Sequence, residues 1–310
     1  MFSPKPPMKR LKVLVDSLKR AFNAPSPSST IGDRDGALLR VERKLDLLSQ
    51  QLIQLGLEPL ANRTDETAED QRSKLAPGII PVIEQKLENQ FLQLESLFSI
   101  YNSLPNLKLL PPTRGWAGSP DFLAKIIEVI LKQKPAFVLE ASSGVSTVVI
   151  ALALKLNNHG KALSLDHEAH YAEKTRENVK VNEAESTSIV QHCPLKEYTI
   201  GEQSWKWYDI EEVDLTRKID ILVIDGPPRT TQFLARYPAV PLLHECFADK
   251  ALVLLDDANR SDEVIIARKW IAFLEAHNYQ VEVHTFNHFE KGMVMLEVCR
   301  GAQESAYHLH

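Results

Sequence analysis

From Pro135 onward, short apolar runs alternate with longer stretches of helical spacing, and this alternation predicts strand–helix units. Phe137–Leu139 is an apolar run that ends on Glu140. After a loop of small residues, Val148–Leu154 has the length and spacing of a helix. Ala162–Asp166 reads as a second strand, followed by a helix over 169–181. Ile189–Cys193 reads as a third, weaker strand that Pro194 stops. Ile219–Asp225 is apolar without alternation, as expected of a strand covered on both faces, and Gly226-Pro227-Pro228 breaks it. A helix interrupted near Pro238 and Pro241, a fifth strand at Ala251–Asp256 and a helix over Asp262–His277 come next. Tyr279–Thr285 and Gly292–Cys299 are the last strands. Only Asn287–Lys291 separates them, too short for a parallel crossover, so they should form an antiparallel hairpin. The pattern is α/β: five strand–helix units closed by a hairpin.

Upstream the periodicity is helical. Met8–Phe22 is basic and amphipathic, suited to a partner or to an anionic membrane surface, and Asn23–Thr30 reads as a flexible linker. Val41, Leu45, Leu48, Leu52 and Leu55 form a seam of about three heptads, which could pair two copies of the chain or dock on its own domain. Ile80–Leu104 returns to helical spacing, 109–120 is rich in turn residues, and Asp121–Leu131 should be a helix leading into the first strand. The division expected is 1–30 (basic segment and linker), 31–110 (helical or coiled coil) and 111–310 (the α/β domain).

Composition changes this picture little. With 44% hydrophobic and 25% charged residues the chain is ordinary for a soluble protein, and a net charge of -5 gives no global reason to expect nucleic acid. Three widely spaced cysteines suggest neither a disulfide framework nor a zinc site. No run approaches the roughly 20 apolar residues of a membrane span, and no signal peptide is evident, so a cytoplasmic location is expected, with surface contact through the first helix the variant.

The chemistry concentrates at the ends of the strands. The loop Glu140-Ala-Ser-Ser-Gly-Val-Ser-Thr147 joins a strand to a helix, the place where doubly wound sheets hold nucleotide-like ligands. Its small residues let the backbone approach a ligand, Ser143 or Ser146 can cap the helix, and the helix N-terminus favours an anion. A plain packing turn would read the same way.

Three stretches in order make the chain resemble the class I S-adenosylmethionine-dependent methyltransferases, in particular the branch known as methyltransferase family 24. They are Leu139–Thr147, Ile224-Asp-Gly-Pro-Pro228 and Leu254-Leu-Asp-Asp-Ala-Asn-Arg260, within a likeness running from about Pro111 to Cys299. The resemblance implies a Rossmann-like, seven-stranded, mostly parallel sheet of order 3-2-1-4-5-7-6, its last strand antiparallel, with a helical N-terminal extension. It implies S-adenosyl-L-methionine as cofactor. Glu140 would lie near the methionine amino group, and Ser142, Ser143, Gly144 and Ser146 would line that end. Asp166, or Glu168 in its place, would take the ribose hydroxyls, His192 would border the adenine with Cys193 and Pro194, and Asp225 would lie nearby. Ser142 stands where the family usually has glycine, which costs about a kcal/mol or more if that position needs positive φ.

Asp225, Asp256 and Asp257 end adjacent strands at one sheet edge and could hold Mg²⁺ or another divalent cation, similar to the metal site of catechol O-methyltransferase; otherwise they cap local turns. The catalytic candidates are Asp225 and Asp256, with His244, and less so His192, as a base if no metal is present. Arg229, Arg236 and Arg260 could bind an anionic acceptor or pair with these aspartates. Trp205, Trp207 and Tyr208 could form an aromatic lid or pack in the core. The expected activity is methylation of a hydroxyl on a sugar or other small metabolite. The rivals are a nicotinamide-dependent oxidoreductase, for which Thr147 stands where a third loop glycine is wanted, and a non-catalytic coiled-coil adaptor.

Overall fold

The structure, a computed structural model, describes residues 79–301, with side chains from residue 85. The basic segment, the linker and the leucine seam expected before residue 79 lie outside the described residues. The compact unit that holds the sheet begins at Pro81.

In chain order the helices and strands are α1 (Ile79–Ser103), α2 (Pro120–Gln133), β1 (Phe137–Ala141), α3 (Val145–Asn157), β2 (Lys161–Asp166), α4 (Ala169–Val181) and β3 (Ser188–His192). Then follow β4 (Leu195–Ile200), β5 (Gln203–Tyr208), β6 (Ile219–Ile224), α5 (Ala239–Leu243), a 3₁₀ turn (His244–Cys246), β7 (Phe247–Asp256), α6 (Ser261–Ala276), β8 (Tyr279–Phe286) and β9 (Met293–Arg300). Seven strands form one sheet in the order β3-β2-β1-β6-β7-β9-β8. Strands β3, β2, β1, β6 and β7 run parallel, and β9 is antiparallel to both of its neighbours. With the β4–β5 hairpin set apart as its own two-stranded sheet, this is the order expected from the sequence.

Strand alternation assigns the two cores. Leu139, Ala141, Leu222, Ile224, Val253 and Leu255 point to one face, where they meet Trp207, Trp270 and Leu243. Val138, Ile221, Val223, Leu252 and Leu254 point to the other, covered by Ile100 of α1 and Leu104 just after it, Phe122 and Ile126 of α2 and the nearly all-apolar α3. A helix apolar on all sides has to be buried, and residues 145–154 of α3 are. Proline at the start of α2, Asp121 in its first turn and a left-handed Lys134 at its end delimit that helix as the sequence suggests.

Two expectations change. Residues 195–208 form a hairpin where no element was expected, and Trp205, Trp207 and Tyr208 are 7%, 0% and 1% exposed. They are core residues, not a lid: β5 alternates and turns its aromatic side inward against the sheet. The helix expected over 230–248 is reduced to α5 and one 3₁₀ turn, because Pro238 and Pro241 lack the N–H groups a longer helix needs.

At the C-terminal edge of the strands, Asp121 ties three elements together. One of its carboxylate oxygens accepts from Gln93 Nε2 of α1 (2.7 Å) and from the Glu290 N–H in the β8–β9 turn (2.7 Å). Lys291 in the same turn donates to the carbonyl of Ala117 (2.7 Å). Among the described residues no helix is long and apolar enough to cross a membrane.

Candidate active site

Every βα loop leaves the sheet at this edge, and parallel strands place their terminal residues side by side there. Glu140, in the penultimate position of β1, points toward α3 and is fully buried. One of its oxygens accepts from Thr147 Oγ1 (2.6 Å) and Ser164 Oγ (2.5 Å), while Oε1 has no partner. Burial raises its pKa from 4.5 to about 7 against the opposing hydrogen bonds of Ser146, Ser164 and Thr147.

The loop that follows has the backbone its sequence hints at. Ser142 adopts φ 146° and Gly144 φ 157°. The first is where a glycine was the expected residue, so Ser142 carries a conformational cost of about 1 kcal/mol or more. Its hydroxyl is buried without a partner. Neither Ser143 nor Ser146 caps α3, contrary to expectation. Gly144 is the N-cap, and Thr147 Oγ1 accepts its N–H (3.0 Å), so a threonine already held by Glu140 satisfies the helix end. Ser143 turns instead to the tip of β2, donating to Asp166 Oδ2 (2.5 Å). The other Asp166 oxygen accepts the Glu168 N–H (2.9 Å).

Glu168 itself is the exposed N-cap of α4, one step past the crevice, and Asp166 is the acid the loop faces. His192 ends β3 beside Asp166, exposed, its Nε2 3.3 Å from the His167 carbonyl. The neighbouring Cys193 is buried, which pushes its thiol up to about 11.

On the other side of β1, Asp225, Asp256 and Asp257 converge: each offers a carboxylate oxygen within 4.8 Å of the others. Asp256 is fully buried with neither oxygen partnered, and Asp257 Oδ1 is also unpartnered. Arg236, 3% exposed, lies among them. Its Nη2 donates to Asp257 Oδ2 (2.7 Å), Asp225 Oδ1 (3.2 Å) and the Asp225 carbonyl (2.8 Å), and its Nη1 donates to the Asp256 carbonyl (2.9 Å). Arg260 Nη1 adds a second cation 2.8 Å from Asp257 Oδ2, and Glu263 lies 3.9 Å from both arginines. Arg236 and Arg260 therefore pair with the local acids, while Arg229 is exposed. Four acids face two arginines, and the excess shows in the titration. Burial raises Asp256 well above the usual carboxylate range, and it raises Asp225 to about 6 although Arg236 pulls the other way.

His244 is not part of this group. It precedes β7, at the opposite end of a ten-residue strand from Asp256, and packs edge-on against Phe273 with ring centroids 5.0 Å apart. Burial lowers its pKa. A residue before a parallel strand and one after it face opposite edges of the sheet, so His244 cannot serve as base here. Sequence reasoning passed over the bridging roles of Asp121 and Lys291, and it read Gly226 only as the break after β6 and part of a motif. Gly226 is held by close approach: a Cβ there would fall 2.4 Å from the Tyr208 hydroxyl and 3.2 Å from Ser142 Cβ.

A sequence-family model described as "Methyltransferase domain" matches residues 141–258. No curated protein matches the chain. Among solved structures, the O-methyltransferase from Bacillus cereus in complex with SAH is 14% identical, with a TM-score of 0.47, over 68% of this chain and 97% of its own. The O-methyltransferase TomG from Streptomyces achromogenes, in complex with SAM, is 12% identical over 65% of this chain and 89% of its own (TM-score 0.44). A methyltransferase from Geobacter sulfurreducens is 13% identical over 76% and 98% (TM-score 0.41). The stretch 141–258, from the end of β1 to the residues just past β7, is similar to a methyltransferase domain.

Proposed function

We propose that the chain moves a methyl group from S-adenosylmethionine to a hydroxyl of a small neutral acceptor, a sugar or similar metabolite, with a divalent cation at Asp225, Asp256 and Asp257. The observation that carries this is a set of buried acceptors without partners at consecutive strand tips: Glu140 Oε1 and Ser142 Oγ on one side, Asp256 and Asp257 Oδ1 on the other. Buried polar atoms left unpaired in the protein are costly, so a ligand that satisfies them is the simplest reason for their presence. The residues fit both groups. Glu140 offers an anion to an ammonium, Asp166 offers two oxygens to a pair of ribose hydroxyls, and the aspartate cluster is an oxygen-only set with two more acids than arginines.

When bound, the cofactor supplies a methyl group activated on a sulfonium. A divalent cation at the aspartates would lower the pKa of an acceptor hydroxyl. The protein's own contribution is position and proton acceptance. Arg236 fixes Asp225 just past the end of β6, where its carboxylate can take a proton from an acceptor hydroxyl. The Asp121 and Lys291 bridges hold the 111–119 approach and the β8–β9 turn as a fixed wall. With Arg236 and Arg260 engaged internally, a neutral acceptor is the reading carried forward in place of an anionic one.

Calorimetry with S-adenosylmethionine and with NAD, followed by an acceptor screen for the mass gain of one CH₂, tests the reading. Binding of NAD alone, or of neither, would overturn it. For the cation, Mn²⁺ titration is expected to show one site that Asp256→Asn abolishes, with activity lost on thorough chelation. Full activity after chelation removes the metal.

Glu140 gives a pH dependence. Its pKa in the folded protein lies above the free value, so its ionisation opposes folding and stability falls as pH rises from 4.5 toward 7. Affinity for a ligand bearing an ammonium should rise over the upper part of that window and level off above about 7. Glu140→Gln is expected to flatten both profiles; a rise in affinity that persists in this variant would separate Glu140 from the ammonium.

A further inference from the structure

The hairpin that replaces an irregular connection between β3 and β6 ends on a residue with no assigned role. Tyr208 is 1% exposed, its ring wedged edge-on against Trp207 (centroids 5.0 Å apart) and facing His167 (6.0 Å). Outside the β4–β5 ladder its backbone is well fixed: its carbonyl accepts from Tyr198 Oη (3.2 Å), and the next N–H, on Asp209, donates to the Pro194 carbonyl (2.8 Å). No hydrogen bond from a described residue reaches the phenol oxygen. That oxygen stands directly against Gly226, 2.4 Å from where a Cβ would be, and the same point is 3.2 Å from Ser142 Cβ and 3.3 Å from the Ala141 carbonyl.

The phenol therefore comes up from beneath the sheet edge at the junction of the two loops that frame the crevice, the one after β1 and the one after β6. Burial holds its proton well above the usual phenol range, with Asp166, Asp225 and Glu140 adding to the shift and Arg236 opposing it. Glycine at 226 is what admits the phenol oxygen at this point. A neutral phenol there, with no hydrogen bond to a described residue, has a donor to offer to a ligand oxygen or nitrogen.

We propose that Tyr208 is a further cofactor-positioning residue, its hydroxyl donating a hydrogen bond to bound S-adenosylmethionine between the ribose end at Asp166 and the reacting end at Asp225. This rests on the donor assigned above. It gives the β4–β5 hairpin a function: the hairpin delivers from the core a rigid donor that neither crevice loop supplies.

Tyr208→Phe removes only the oxygen, which has no partner in the protein, so the fold and its unfolding midpoint should be retained. Calorimetry is expected to show S-adenosylmethionine and S-adenosylhomocysteine bound about three- to tenfold more weakly, the effect of one neutral hydrogen bond. A purely packing role, which phenylalanine preserves, would leave both the unfolding midpoint and the affinity unchanged. Equal affinity in the two proteins overturns this inference and leaves the donor assignment standing. No binding by the unsubstituted protein overturns both.

Discussion

Replacing Asp225 by asparagine is expected to lower kcat by about 10²- to 10⁴-fold while the affinity for S-adenosylmethionine stays within a few-fold. Asparagine keeps the shape of the side chain and an oxygen that can still accept from Arg236 Nη2, so the β6 end keeps its structure. What is lost is the negative charge and the capacity to take a proton. Burial raises the Asp225 pKa to about 6, still low enough for the group to be mostly ionised at neutral pH and near enough to the working range to be an effective base. The groups proposed to hold the cofactor lie on β1, β2 and the loop after β1, which this substitution leaves untouched. Single-turnover kinetics with calorimetry on the same protein separate the two quantities. A loss in kcat under tenfold would mean that another group accepts the proton, and an equal loss in binding would make Asp225 a cofactor ligand instead.

Arg236→Met should be the most destabilising change in the site, by about 3–5 kcal/mol, lowering the melting midpoint by roughly 10 °C for a domain of this size. Arg236 is the one cation bonded to Asp225 and Asp257 together, and it also satisfies the carbonyls that end β6 and β7. Methionine fills similar volume, but it leaves Asp225, Asp256, Asp257 and Glu263 with Arg260, itself paired with Asp257, and the weaker influence of Lys291 on Asp225. The buried acids must then stay protonated. An acid whose folded pKa is raised is stabilising only while it holds its proton, so the deficit should be larger at pH 8 than at pH 5.5. Thermal melts across that range decide it. A deficit that is flat with pH would mean that packing, not charge, is what Arg236 provides. Added Mn²⁺ should recover part of the loss if the aspartates bind it.

Much of the domain was legible in the chain because two simple signals agree. Ile219–Ile224 is apolar throughout since both faces of a parallel strand are covered, and the short link 287–291 permits only a hairpin, so the buried strand and the antiparallel pair followed from the residues, while the strand order followed from the resemblance. The hairpin at 195–208 escaped notice although Gly201, in positive φ, marks its turn and Trp205 and Trp207 alternate around it. Its strands carry lysine, glutamate and glutamine on the outer face, and short half-polar segments give weak periodicity. His244 was drawn toward the acids by sequence proximity to β7, which says nothing about which end of the strand a residue occupies.

The sequence by itself determined which residues end strands: Glu140, Asp166, Asp225 and Asp256 carry their identity as acids at the close of apolar runs, and that pattern is local. Tertiary structure alone decided their partners. Arg236 is eleven residues from Asp225 and twenty-one from Asp257 and lies between them only because β6 and β7 pair in parallel. Tyr208 reaches Gly226 only because a hairpin folds under the sheet edge. Periodicity encodes which face a side chain takes; which groups meet, and so which charges are compensated and which acceptors stay unpaired, depends on contacts between segments far apart in the chain.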